Sequence, residues 1–344
     1  MLQAEAGRNV EEARKIAAAL TLQAACYFQQ GQVRTANGQL DLIPNGLDSA
    51  SHQRIELIKA VLQQQVDPPL CARLLEHLVA VDSSITEQAR LTLLIMYLRT
   101  EYMEKASGLL DDHEVGIREM VTDEDWRMIE TALVSAYDNP SGAKLYSEVM
   151  QEAEENMGYL QTDIGIFKQS LDSCEDENAA VGLKRKLAKK EAKLATVKLS
   201  LRMATVGLAN LHYKKRNYKE AVRCLQKYIE DCQDDIVYCT ALAHCLFMAK
   251  NYTESSFIYH TIIEFYKSTS FTLISTPVAI LSQYCVAQLF ATDEENKASE
   301  VMAEMLRSEK VNFEDPESDY HVVAAKRTHV VATCLLIAYK LFPA

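Results

Sequence analysis

Residues that interrupt helices are scarce in this chain, which holds only 11 glycines and 7 prolines among 344 residues. Glycine and proline are the two residues that most disfavour a helix interior, so their scarcity leaves few places where a helix must end. Hydrophobic residues make up 48% of the sequence, and Ala, Leu, Lys and Glu are abundant. This composition predicts an almost wholly helical chain.

An excess of basic residues is also missing, because the formal net charge is −12. Binding to nucleic acid or to an anionic membrane without sequence or lipid specificity needs a basic footprint, so the charge argues against both. No apolar run reaches the ~18 residues of a membrane span, and the polar, acidic start Met1–Glu5 does not resemble a signal peptide. We expect a soluble, intracellular chain without membrane insertion.

Paired cysteines are absent too: nine cysteines are spread singly, without any CxxC. Four of them fall within 22 residues, which raises the alternative of a metal site: Cys224, Cys232, Cys239 and Cys245. In a helical frame they lie on different faces and lack ligand spacing. We therefore interpret them as reduced thiols that serve as small hydrophobic side chains, and we predict no metal ligands.

Catalytic signatures are missing as well. The eight histidines form no HxxxH or HExxH pattern, and the chain has no P-loop, no glycine-rich dinucleotide loop and no GxSxG. We predict no catalytic residues and no cofactor, so the chain is expected to be a binding protein and not an enzyme. The alternative of an enzyme domain attached to repeats has room only in residues 115–200.

An internal repeat is present. Residues 34 apart echo one another in the pairs Asn217-Tyr218 and Asn251-Tyr252, Ala209 and Ala243, and Tyr213 and Phe247. A period of 34 is that of the tetratricopeptide repeat (TPR), a pair of antiparallel helices. Small residues stand where the two helices cross closely, and larger ones pack against the next repeat. The echo therefore predicts an α-solenoid, a TPR-type helical-repeat superhelix.

Further helical units can be placed around this echo. They occupy residues 17–50, 52–79 (two short helices broken at Asp67-Pro68-Pro69), 86–115, 202–235, 236–269 and 279–312. The last of these comes late, so the Ser-Thr-rich stretch from Ser268 to Thr276, closed by Pro277, is interpreted as an inserted loop. A helix at 320–341 is expected to resemble the first helix of a repeat without its partner.

Residues 116–201 lack the repeat signature and divide the chain into three predicted parts: repeats in 1–115, irregular helices in 116–201, and repeats in 202–344. Leu187, Leu194 and Leu201 form a stripe at heptad-like spacing, flanked by the basic run 184–193. This pattern predicts a nonrepeat helical hairpin with Glu175-Asp176-Glu177 as its loop and the basic run in solvent. An alternative for the basic run is a contact with RNA or with a tubulin tail.

In a TPR superhelix, the first helix of each pair lines the concave groove. An asparagine there can bond the backbone of an extended peptide while aromatic rings pack its apolar side chains. The candidates for a peptide-binding groove are Thr21, Phe28, Gln29, Met203, Val206, Asn210, Tyr213, Lys214, Thr240, His244, Phe247, Gln283 and Phe290. The alternative for Tyr213 and Phe247 is packing between repeats.

An ordered set of segments also resembles a known family. The segments are Ala209–Tyr213, Asn217-Tyr218, Asp231–Asp235, Ala241–Met248, Leu22–Ala25 with Ala36 and Pro44, Leu62–Gln65 with Pro68-Pro69, Glu101–Glu104, and Asn312–Pro316 before Tyr320-His321. Together they resemble the fleer family (the tetratricopeptide repeat protein 30 family) of intraflagellar transport complex B. The resemblance covers most of the chain and is weak over 115–200, and members of that family are longer.

The resemblance implies a noncatalytic TPR scaffold for assembly of the cilium or flagellum. It implies partners among the complex B subunits, above all an extended proline-rich segment of the fifty-two-kilodalton-class core subunit. It also implies a place in the cilium or flagellum and basal body with a cytoplasmic pool. The alternative function is a generic TPR co-chaperone or peptide-tail adaptor. That class uses a basic clamp, for which only Asn210 and Lys214 fit here.

Overall fold

The computed structural model describes residues 2–29, 33–44, 47–64, 67–81, 85–173, 177–270 and 278–291. Every regular element within these ranges is a helix, and the chain divides into two compact units, Met1–Tyr137 and Asp138–Ala344. Helix pairs that pack in chain order, together with a long central hairpin, confirm the predicted all-α TPR-type repeat fold. None of the described helices is both long and apolar enough to cross a membrane.

The described residues of the first unit form seven helices, which pack on their neighbours in the chain. They are α1 (Leu2–Gln29), α2 (Val33–Asp41), α3 (Ser49–Gln63), α4 (Pro68–Ala80), α5 (Thr86–Arg99), α6 (Met103–Arg118) and α7 (Asp123–Tyr137). The break predicted at Asp67-Pro68-Pro69 is the start of α4, where the Asp67 side chain accepts a hydrogen bond from the amide of Leu70. Fully buried Leu75 and Leu94 belong to a core that extends from α3 to α7.

The second unit begins with two long helices and continues with shorter ones. Its elements are α8 (Asn139–Asp172), α9 (Glu177–Lys214), α10 (Tyr218–Gln226), α11 (Ile229–Cys232), α12 (Ile236–Met248), α13 (Tyr252–Ser270) and α14 (Val278–Ala291). Helix α9 is continuous across residue 202, so its last turns serve as the first helix of the 202–235 repeat. The domain division at 201/202 stays a prediction.

Helices α8 and α9 form the predicted hairpin. Lys190 Nζ lies 2.6 Å from Asp163 Oδ2, and Lys168 Nζ lies 3.3 Å from Glu191 Oε1. Nearer the other end, Gly207 lies directly against the ring of Tyr146. Residue numbers that rise on one helix as they fall on the other show that the two helices are antiparallel. With 34 residues at ~1.5 Å per residue, α8 is about 50 Å long.

The 34-residue echo marks the crossing points of two successive helix pairs. Ala209 and Ala243 on the first helices are buried, as are Ala221 and Ser255 on the second helices. The Ser255 hydroxyl donates to the carbonyl oxygen of Ala243 at 2.8 Å. Side chains this small allow the two helices of each pair to approach closely, which is the role predicted for them.

Several sequence predictions fall outside the described residues. They concern the loop Glu175-Asp176, the inserted loop after Ser270, the second half of the 279–312 unit and the helix at 320–341. Helix α13 continues through Ser270, so the first residues assigned to the inserted loop, from Ser268, are helical.

Candidate peptide-binding groove

The candidate residues of the second unit lie on three successive first helices, the end of α9, then α12, then α14. Arg202 on α9 pairs with Asp235 at the start of α12, with 3.4 Å between Nη1 and Oδ2, and Tyr213 meets His244 further along. Partners that differ by 31 to 33 in residue number at both points show that α9 and α12 run parallel. Val206 therefore lies level with the start of α12.

A row of hydrogen bonds joins candidates from all three helices. The Tyr213 Oη lies 2.9 Å from Nε2 of His244, and Nδ1 of His244 lies 3.3 Å from Oε1 of Gln283. The same Gln283 oxygen accepts a hydrogen bond from the hydroxyl of Tyr259, which is fully buried. The row thus begins at the groove and ends in the core of the second unit.

The donors and acceptors in this row can be assigned. An amide oxygen only accepts, so Nδ1 of His244 carries a proton and donates to Gln283. The hydroxyl of Tyr213 is the partner of the other ring nitrogen, Nε2. Burial, with the nearby Tyr218 as a smaller cause, raises the pKa of Tyr213, so that this hydroxyl keeps its proton. Tyr213, His244 and Gln283 therefore satisfy one another before any peptide arrives.

Aromatic rings form a second row beside the first. Phe247 packs edge-on against Tyr252 with centroids 5.5 Å apart, and Tyr252 stacks on Phe290 with centroids 4.9 Å apart. Phe247 also packs against the core cluster of α12, α13 and α14. Phe247 therefore contributes to packing between the helices, which is the alternative to a role in peptide binding. Phe290 is the ring of this row that is more open to solvent.

Sequence reasoning missed the tyrosines that begin the second helices. Tyr218 lies edge-on to Tyr213 with centroids 5.2 Å apart, and Tyr252 joins Phe247 to Phe290. Both were used only as markers of the 34-residue period. Their position directly after the asparagine of the turn indicates this contact, because the first residue of the second helix lies close to the end of the first helix.

The open part of the surface is apolar at both ends and polar between them. Met203 is 47% exposed and Phe290 is 52% exposed, while Asn210 and Lys214 are exposed on the last turns of α9. Val206 and Thr240 are half-buried, and the Thr240 hydroxyl donates to the carbonyl oxygen of Ile236. Leu199, one turn before Met203, is also exposed and was not among the candidates.

The candidates of the first unit lie on α1. Thr21 and Phe28 are half-buried, and Phe28 packs against the small core formed by Ala24, Ala36 and Leu40. The side chain of Gln29 lies outside the described side chains.

The cations near the start of this surface are already paired. Lys198 Nζ lies 2.9 Å from Asp231 Oδ1, and Arg202 contacts both Asp235 and the carbonyl oxygen of Asp231. Asn210 and Lys214 are the clamp-like side chains on α9.

Three of the four clustered cysteines belong to the core, and Cys224 is half-buried. Cys232, Cys239 and Cys245 are buried, and burial raises the pKa of each thiol, to about 11 for Cys245. A thiol that holds its proton is a poor nucleophile and a poor metal ligand. Within the described ranges no three Cys, His, Asp or Glu side chains come together in a way that could hold a metal ion.

A family model described as the C-terminal domain of intraflagellar transport protein 70 matches residues 90–335, which is more than half of the chain. The chain belongs to this family. The match begins within α5 and includes the hairpin and all the groove candidates of the second unit.

Individual relatives of the intraflagellar transport protein 70 family match at low identity. Protein 70A of Danio rerio is 20% identical over 227 residues, which are 65% of this chain and 33% of the relative. Protein 70B of Rattus norvegicus is 27% identical over 117 residues, 33% of this chain and 17% of the relative. The human protein 70B is 26% identical over the same length. The chain thus spans a third or less of the curated relatives it matches.

One solved structure is similar over most of the chain. It is a signal-transduction ATPase with a tetratricopeptide repeat sensor from Pyrococcus horikoshii, 13% identical, with a TM-score of 0.41, and the match covers 96% of this chain and 46% of that protein.

Proposed function

We propose that the chain is a noncatalytic scaffold subunit of intraflagellar transport complex B, working in assembly of the cilium or flagellum. Membership of the intraflagellar transport protein 70 family supports this role. The partners are other complex B subunits, and the places of action are the cilium or flagellum and the basal body, with a cytoplasmic pool.

The partner segment that we propose is extended and proline-rich and comes from the fifty-two-kilodalton-class core subunit. It binds along the first helices α9, α12 and α14. The observation that supports the proposal is the alignment of these first helices, on which Met203, Asn210 and Phe290 are exposed. A proline-rich segment is stiff before it binds, so it loses little conformational entropy on binding.

Each part of the surface has a role in this proposal. Met203 and Phe290 contact apolar side chains and proline rings of the segment, and Asn210 donates to and accepts from its backbone. Tyr213, His244 and Gln283 hold the three helices in register, because their polar groups are satisfied within the chain. They act as positioning residues beneath the bound segment.

Exposed side chains test this groove better than packed ones. A charge at Tyr213 or Phe247 would disturb packing as well as binding, because both side chains contact neighbouring rings. Met203→Glu and Phe290→Glu instead alter exposed side chains. We expect each to weaken binding of the proline-rich segment about tenfold, since each removes an apolar contact of about 1.5 kcal/mol. Titration calorimetry with the full chain and the purified segment measures this.

Phe257→Glu on α13 is the matched control, because Phe257 is 75% exposed and lies on a second helix. It should bind like the unsubstituted chain. Equal loss in all three variants, or no loss in Met203→Glu and Phe290→Glu, would show that the segment does not bind this surface. Tight binding of an acidic tail peptide from a heat-shock chaperone, in place of the proline-rich segment, would favour the co-chaperone function.

A further inference from the structure

One face of the hairpin concentrates positive charge in an otherwise acidic chain. Arg185, Lys186, Lys189 and Lys193 are exposed on α9, and half-buried Lys190 lies beside them. At 100° per residue these five side chains fall on one side of the line of leucines, Leu187 and Leu194, that faces α8. The chain as a whole carries a net charge of −12, so this local excess opposes the overall charge.

Helix α8 adds exposed apolar groups to the same face. Asp163 pairs with Lys190, which fixes the register between the helices at this edge. Tyr159 and Ile166 lie four residues before and three after Asp163, and therefore on the same stripe of α8. They are 74% and 55% exposed. An exposed tyrosine and isoleucine thus lie beside the row of cations.

The opposite edge of the hairpin contains an ion pair between the two helices. There Lys168 of α8 pairs with Glu191 of α9 at 3.3 Å. On the basic side, Lys190 is the one of the five cations that has an acidic partner among the side chains that the structure describes. Five of the six basic residues of the run 184–193 therefore lie on one side of the leucine line, and four of these five have no acidic partner among the described side chains.

We propose that this cationic hairpin face, formed by Tyr159, Ile166, Arg185, Lys186, Lys189 and Lys193, docks an acidic segment of another protein. The glutamates or aspartates of the segment pair with the exposed lysines and Arg185. Its apolar side chains contact Tyr159 and Ile166. This surface is separate from the groove on α9, α12 and α14, so the proposal does not depend on the proposed function.

The length of the occupant follows from the distances. From Arg185 to Lys193 the helix rises about 12 Å, which an extended peptide spans in about four residues. The next acid-paired cation along α9 is Lys198, whose position is about 7.5 Å of helix rise beyond Lys193, close to the ~8 Å Debye length at physiological salt. A segment of about four residues therefore fits within the cationic face.

Larger polyanions are less suited to this face. A nucleic acid or an anionic membrane presents negative charge over a wide area, so it would also face the acidic surface of the chain and be repelled. Single-stranded nucleic acid is usually held by stacking of its bases on several aromatic rings. The aromatic side chain that this face exposes is Tyr159. A short protein segment can pair with the small basic area through its carboxylates and contact the exposed apolar side chains beside it.

The test uses the full chain and a fluorescein-labelled decapeptide of glutamates, followed by fluorescence anisotropy. We expect saturable binding at about 50 mM salt that weakens strongly by about 300 mM, because the pairs are exposed and screened. The triple variant K186E/K189E/K193E should bind about tenfold more weakly, as expected when three exposed pairs are lost. The triple glutamine variant of the same lysines should fall between the two.

The control carries the same change of charge elsewhere. Lys144, Lys215 and Lys219 are exposed in the second unit and outside the hairpin face. The variant K144E/K215E/K219E should bind the peptide within about twofold of the unsubstituted chain, since remote exposed charges are screened. Circular dichroism at 222 nm checks that every variant keeps its helix content.

Two further probes distinguish other polyanions: a decamer of uridine RNA, and vesicles containing phosphatidylserine. Weaker binding of both than of the glutamate peptide supports the proposal. Preferential binding of the RNA or the vesicles contradicts it. Equal peptide binding by the hairpin variant and the control variant also contradicts it, as does the absence of any peptide binding at low salt.

Discussion

At the scale of single residues, Gly207 of α9 lies directly against the ring of Tyr146 on α8. A Cβ atom added there would lie 2.5 Å from Cζ of Tyr146, and Tyr146 is buried between the helices. Replacing a helical glycine by alanine normally stabilises by about 1 kcal/mol. At Gly207 the overpacking cost of about 1–3 kcal/mol exceeds this gain, because a buried ring has little room to move.

We therefore expect Gly207→Ala to lower the free energy of unfolding by up to about 2 kcal/mol in urea denaturation. Gly158→Ala on α8 is the matched control, since an added Cβ meets no atom within 4 Å. It should raise the free energy of unfolding by up to about 1 kcal/mol. If both alanines stabilise the chain equally, the tight contact between Gly207 and Tyr146 does not exist in solution.

At the scale of helices, the turn within each repeat has a recurring backbone geometry. Arg216 and Lys250 have φ angles of 58° and 65°, in the left-handed region. The amides of Asn217 and Asn251, one residue later, donate back to the carbonyl oxygens of His212 and Leu246 at 2.9 Å. This is a Schellman motif, in which glycine is the preferred left-handed residue.

Arg216→Gly and Lys250→Gly should each stabilise the chain by up to about 1 kcal/mol, because the left-handed conformation penalises side chains with a Cβ atom. Lys219→Gly within α10 is the control and should destabilise by about 1 kcal/mol. Thermal unfolding followed by circular dichroism compares the three variants. Destabilisation by glycine at Arg216 and Lys250 would contradict the left-handed geometry of these turns.

The sequence predicted the repeated helices better than the helices between them. Residues 202–269 carry a period of 34 and small crossing residues, so their helices could be placed within a few residues. Helices α7 and α8 have no such period, and only Asp138 separates them. The leucine stripe from Leu187 indicated the hairpin, but nothing in it shows that α9 is continuous into the first repeat helix.

The candidate groove was predictable only in part. The 34-residue period assigned residues to the first helices of the repeats. The structure brings Tyr213, His244 and Gln283 together from three of these helices, α9, α12 and α14. Which of them pair with each other depends on the register between neighbouring helices, and a repeat pattern does not specify that register. The exposed positions Met203 and Phe290 could be separated from the packed Phe247 only once their surroundings were known.

At the scale of the whole molecule, two compact units share a fold of paired helices, and the family match includes part of the first unit and the groove of the second. The second unit presents two chemically different surfaces. The first-helix surface of α9, α12 and α14 is apolar at its two ends and polar between them, and the cationic hairpin face is charged. The proposed binding of a proline-rich segment and the proposed docking of an acidic segment therefore use separate surfaces.

Affinity purification of the full chain from ciliated cells, with quantitative mass spectrometry, tests the proposed scaffold role most directly. We expect complex B subunits, including the proline-rich core subunit, to be enriched with the unsubstituted chain and with Phe257→Glu. The double variant M203E/F290E should recover the proline-rich subunit poorly, because the contacts proposed for its extended segment are lost. Recovery of heat-shock chaperones without complex B subunits, or undiminished recovery of the proline-rich subunit by the double variant, would contradict the account.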